Sequence, residues 1–146
     1  MYRKVIFNVS RETRHNKQLI FVLFFCFLAI FPGCGEDSIP VDVSSFNKTI
    51  ELRKDLKSAK EVMLEFYSSY HSEGGRDIKV TEENLTPGRF RVTLINDDLN
   101  DDSALAEKLV MVVKQDGTKW KVISIEKNWK CHKGRGHSGW GTEPCS

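Results

Sequence analysis

The chain has 146 residues and carries 22 Lys plus Arg against 20 Asp plus Glu, a formal net charge of +2. That length fits one domain with one core, and the composition is not that of a disordered or collagen-like chain. So even a balance gives no support to a nucleic-acid partner, because domains that grip phosphate backbones carry a basic excess on one face.

At the N-terminus Arg3, Lys4, Arg11, Arg14 and Lys17 face Glu12 alone, directly ahead of the apolar run Leu19 to Phe31. A basic region followed by an apolar one is the order of an export signal. The 13 apolar residues would make a helix of about 20 Å, short of the roughly 30 Å of a bilayer's hydrocarbon core, and Pro32-Gly33 stop the run. Residues 1–33 are expected to be a signal peptide that is removed, with an uncleaved anchor as the alternative.

Four cysteines follow different logics. Cys26 lies in the apolar run and leaves with it. Phe31-Pro32-Gly33-Cys34-Gly35 resembles the lipobox of bacterial lipoproteins. That resemblance implies that Cys34 becomes the acylated first residue of the mature protein. More than one acyl chain would hold it stably on a membrane without spanning it. By the family's sorting rule, Gly35 after the cysteine implies the outer membrane, facing the periplasm, in a Gram-negative cell. A periplasmic or secreted protein is the alternative. Cys131 and Cys145 remain, and in an oxidising compartment they are expected to form a disulfide.

Residues 34–47 are polar, contain Pro40 and lack a period, which reads as a tether ahead of a single domain over 48–146. Ile50, Leu52 and Leu56 begin an apolar pattern; Ser58 and Glu61 then make a capping box. Ala59, Val62, Met63, Phe66, Tyr67 and Tyr70 fall on one helical stripe, closed by Gly74-Gly75. A stripe of this kind is expected in a core, with the tyrosine hydroxyls at its edge.

Beyond the glycines the period changes to two. Ile78 with Val80, and Phe90, Val92 and Leu94 after Thr86-Pro87-Gly88, read as strands. Leu105 to Val113 is ambiguous by period, but with Trp120 to Ile125 it flanks Asp116-Gly117, a hairpin signal that predicts two antiparallel strands and a type I′ turn. One helix and about four antiparallel strands give an α+β fold, the helix covering a meander sheet with a disulfide-closed loop behind it. In outline this resembles the cystatin and NTF2-like classes, an architectural likeness that carries no function of its own.

The stretch Trp129 to Cys145 reads W-x-C-x-x-G-R-G-H-x-x-W-x-x-x-x-C. It resembles the tail of small uncharacterised bacterial exported lipoproteins, which implies export and the disulfide but no activity. Gly134, Gly136 and Gly139 also spell a dinucleotide fingerprint, yet no helix of a βαβ unit can follow in the residues after it, so NAD and FAD are discarded and no cofactor is expected. Cys131, His132, His137 and Cys145, with His71, include zinc-ligand types, but no zinc spacing is present and the disulfide is preferred to a metal. A disulfide likewise removes Cys131 as a nucleophile for His137. Lys133, Arg135 and His137 could offer donors to an anion or carboxylate, with Trp140 stacking on it, which makes this loop the candidate recognition site. The alternative is that the glycines serve turns, Trp140 packs on the sheet end and Arg135 pairs with an acid such as Glu143.

Asp97, Asp98, Asp101 and Asp102 lie close enough together to suggest calcium, but the EF-hand order is missing and a solvated loop is expected. Asn47-Lys48-Thr49 and Asn84-Leu85-Thr86 are glycosylation sequons, inert in a bacterium. No hydrolase, P-loop or metalloprotease motif is present, so no catalytic residue is assigned and an enzyme is not expected. The sequence reads as an exported, lipid-anchored envelope protein that binds or scaffolds an envelope protein or a small anionic ligand. An NTF2-like cone with a ligand or catalytic pocket between helix and sheet is the alternative.

Overall fold

The computed structural model describes residues 36–71 and 77–146. Five strands form one antiparallel sheet in the order β1-β5-β4-β3-β2. They are β1 (Ile39–Pro40), β2 (Ile78–Thr86), β3 (Arg89–Asn96), β4 (Ala104–Asp116) and β5 (Lys119–Cys131). Two helices, α1 (Ser44–Glu51) and α2 (Ala59–Tyr70), pack on one face. The expected α+β layer structure is therefore present with one more helix and one more strand than the sequence suggested. The segment read as a signal, Cys34 and Gly74-Gly75 lie outside the described residues.

Both extra elements come from the stretch read partly as a tether. Its end is seated on the sheet: Ile39 and Pro40 pair with Lys127 and Glu126, and the Val41 amide donates to the Ile125 carbonyl at 2.9 Å. Proline is tolerated there because β1 is a short edge strand. Phe46 and Ile50 of α1 are buried one turn apart. Between them Asn47 turns toward β5, its Nδ2 donating to the Val122 carbonyl at 2.9 Å and its Oδ1 accepting from the Val122 amide at 2.8 Å. A single side-chain amide thus substitutes for a strand along an otherwise open edge.

Ser58 caps α2 by accepting from the Glu61 amide, while the Glu61 carboxylate reaches back to the Lys57 amide, one residue further than a standard capping box. Ala59, Val62, Met63, Phe66 and Tyr67 are buried as the stripe predicts, and Tyr70 lies at the rim. Against them the sheet sets Val92 and Leu94 of β3, Leu109, Met111 and Val113 of β4, and Trp120, Val122 and Ile125 of β5. Trp120 satisfies its indole nitrogen on the Leu56 carbonyl at 3.0 Å.

The turns follow local chemistry. Gly88 has φ +71° behind Pro87, the pattern of a type II turn. At the long hairpin Asp116 pairs with Lys119, so the loop is Gly117-Thr118. Gly117 has φ +61° while no residue other than glycine has positive φ among those described, which is the II′ pattern and not the expected I′. The β4–β5 ladder slips at Ala104/Ala106 and at Val112/Val113. The extra residues, Leu105 and Ile123, are exposed at 40% and 44% because a bulge residue leaves the alternation of its strand.

Candidate functional site

The polar chemistry of the domain collects at one end of the sheet, where α2, β3, β4, β5 and the C-terminal tail converge. Strand alternation places it there. Glu107 continues the inward series Leu109, Met111 and Val113, and Asn96 continues Val92 and Leu94, so both enter the helix-covered face just beyond the apolar core. Asn96 and Glu107 are cross-strand partners. Above them the last turn of α2 supplies Tyr67 and its C-cap, His71.

These groups satisfy one another. Asn96 Nδ2 donates to the Tyr67 hydroxyl at 2.8 Å, and Asn96 Oδ1 accepts from the Asp98 amide at 3.1 Å. Burial pushes the Tyr67 phenol up, the Asn96 contact works against it, and the Glu107 carboxylate adds to it. His71 Nε2 lies 2.8 Å from Glu107 Oε2, with side chains 27% and 9% exposed respectively. A carboxylate this deeply buried requires such a partner. With Nε2 on the carboxylate, Nδ1 is the nitrogen left for another group. Outside the pair, Lys127 donates to the Tyr70 hydroxyl at 2.6 Å and lies over the rings of Tyr70 and Trp129.

Trp129 joins this cluster to the tail. It is the cross-strand partner of Glu107 and exchanges two backbone hydrogen bonds with Gly141, each 3.0 Å, while its indole nitrogen donates to the Glu143 carbonyl at 3.1 Å. The expected disulfide is present: Cys131 and Cys145 are bonded with Cα atoms 5.5 Å apart. Gly136 has φ +146°, and a Cβ there would stand 2.8 Å from Cys131 Sγ, so the middle glycine of the tail is required by the turn over the disulfide.

The four residues of the candidate recognition loop divide. Lys133 and Arg135 are exposed. Arg135 contacts the Ser146 carbonyl at 3.2 Å, and that contact takes the place of the expected pair with Glu143. His137 is turned inward, its Nδ1 2.8 Å from the Gly139 carbonyl and its Nε2 3.0 Å from the Glu143 carbonyl. Trp140 lies against β4 and β5 with Lys108 and Lys130 ammonium groups 4.6 and 4.4 Å from its ring centre, and Lys108 is also paired with Glu36. His137 and Trp140 are thus structural contacts of the tail, because the imidazole of the one lies between two backbone carbonyls, donating to one of them, and the π face of the other is covered by two ammonium groups.

The metal-type residues are engaged as well. Cys131, His137 and Cys145 do come within 4.8 Å of one another, but the sulfurs are joined to each other and the imidazole to carbonyl oxygens. His132 contacts the Asp101 carbonyl at 3.2 Å and His71 contacts Glu107. In the acidic loop Asp97 pairs with Lys79, and Asp101 Oδ1 accepts from the Ser103 amide, the Ser103 hydroxyl and the Ala104 amide. These contacts hold the Asp101 carboxyl below the ordinary carboxylate range, as expected of a side chain that builds a turn.

The His71–Glu107 pair and Lys127 are site residues that sequence reasoning did not assemble. Compared with family models, with curated proteins and with solved structures, the chain matches none. Among the described residues no helix is long and apolar enough to cross a membrane.

Proposed function

We propose that this is an exported protein, anchored through an acylated Cys34, that works in the bacterial envelope by binding or scaffolding and not by catalysis. The observation that carries the binding reading is the closed tail. A disulfide and the Trp129–Gly141 ladder fix the loop to β5, while Lys133 and Arg135 stand exposed on it. An ordered loop with exposed cationic side chains loses little entropy on meeting a partner. The filled helix–sheet interface supports the same reading, since Val62, Met63, Leu94, Leu109 and Met111 occupy the space an internal ligand would need.

Photo-crosslinking from positions 133 and 135 in intact cells tests it. Specific adducts with an envelope component, lost on reduction of the disulfide, are expected. Adducts that do not depend on the loop's sequence or on the disulfide would remove the loop as an interface.

A second reading, in the direction of the NTF2-like outline, rests on the His71–Glu107 pair. His71 and Lys127 would receive a small anionic ligand at the polar end of the sheet. It predicts stabilisation by small carboxylates that His71→Gln and Lys127→Ala both abolish, and it fails if neither substitution alters the response.

A further inference from the structure

The two edges of the sheet are treated differently. The outer side of β5 is covered by β1, by Val41 and by the Asn47 side chain. The outer side of β2 pairs with no strand among the described residues. β2 is nine residues long, and proline is absent from it. An edge of that length is a template for another strand.

We propose that β2 pairs antiparallel with β2 of a second copy of this chain, about a two-fold axis passing at Thr81. The occupant follows from charge. In that register Lys79 stands opposite Glu83 of the other copy, twice by symmetry, and Val80 opposite Glu82, so no like charges stand directly opposite each other. Moving the axis to Val80 sets Asp77 opposite Glu83, and moving it to Glu82 sets that carboxylate against itself. Cross-strand partners of opposite sign stabilise a register and like charges destabilise it.

The neighbouring strands extend the pattern. Glu83 already pairs with Arg91 of β3 at 2.8 Å, and Lys79 with Asp97 at 2.8 Å. The junction therefore completes a row Arg91, Glu83, Lys79, Asp97 that alternates in sign across two copies on one face. On the helix side Leu64, exposed at 43%, shares a shallow groove with Leu56, Tyr67 and Ile78 beside the same edge, rimmed by Asp55, Glu61 and Glu65. The axis at a residue keeps both helical layers on one side and joins two sheets into one, a closed isologous contact. The ion pairs are exposed and choose the register; the strand bonds and Leu64 supply the attraction.

Cysteine crosslinking on the detergent-extracted full chain tests this independently of the tail. Two T81C chains meet at the axis and are expected to form an intermolecular disulfide under mild oxidation. K79C chains, displaced from each other by four residues or about 13 Å, link at least tenfold less. Added to T81C, K79E or E83K alone lowers the linked fraction at least tenfold, and K79E/E83K together restores it, with thermal melts verifying that each variant is folded. The proposal is overturned if T81C links no faster than K79C, if T81C links to another envelope protein in place of itself, or if the double reversal fails to recover what the single ones lose.

Discussion

Reducing the Cys131–Cys145 disulfide should release the tail without unfolding the domain. The bond closes a loop over a sequence separation of 14 residues, for which chain entropy gives about 3 kcal/mol. Without it the tail keeps the Trp129–Gly141 pair of backbone bonds, the Cys131 amide on the His137 carbonyl, the Trp129 indole on the Glu143 carbonyl and the packing of Trp140, and loses only the covalent closure. The opening constant of the tail should therefore rise by about two orders of magnitude, since 1.4 kcal/mol corresponds to a factor of ten. Amide hydrogen exchange on the C131A/C145A variant measures this residue by residue. The Gly141 and Cys131-position amides should exchange about 100-fold faster while Leu94 and Met111 keep their protection. If core and tail amides accelerate together, the disulfide acts on the whole fold; if neither changes, the tail is held by something other than the bond.

Asn47→Ala leaves the Val122 amide and carbonyl without partners at the sheet edge and should cost about 1 to 3 kcal/mol in urea unfolding, with a rise in aggregation. Glu107→Ala strips the partner from His71 at the buried end of the sheet and should cost more than the exposed change Glu83→Ala, by roughly 2 kcal/mol or more in the same assay. Asp101 has a lowered folded pKa, so its contribution is present above about pH 3.9, the unfolded value, and disappears as pH falls through the folded one. Asp101→Asn should therefore flatten the acid limb of a melting-temperature profile below about pH 4 and leave its slope near neutrality unchanged.

The core was legible because it obeys two plain periods. Ala59, Val62, Met63, Phe66 and Tyr67 keep a helical stripe and Val92 and Leu94 keep strand alternation, and all are buried where those patterns put them, whereas Met111 and Val113 lie in a run that is ambiguous by period and is placed by the hairpin signal beside it. The first helix was not, because only Phe46 and Ile50 mark its inner face across eight residues, and Asn47 and Thr49 have weak helical propensity. Asp42, which accepts from the Ser44 amide, sits outside the usual cap position. β1 is two residues long and is recognisable only by its partner on β5. The tail's disulfide was readable from compartment and leftover cysteines, whereas the inward turn of His137 depends on where the Gly139 and Glu143 carbonyls point, which no spacing encodes. The polar cluster did leave a signal. Glu107 and Asn96 each stand in phase with an apolar strand series, and His71 follows Tyr67 by one helical turn, but the run holding Glu107 is ambiguous by period, and sequence alone withholds that the three series end at the same place.

Anchoring and closure of the tail can be read together in one experiment, the intact mass of the protein extracted gently from membranes. The account predicts a chain that begins at Cys34, carries diacylglycerol and an amide-linked acyl chain, and lacks the two hydrogens of one disulfide. A chain that begins elsewhere without lipid, or that holds Cys131 and Cys145 as free thiols, would contradict it.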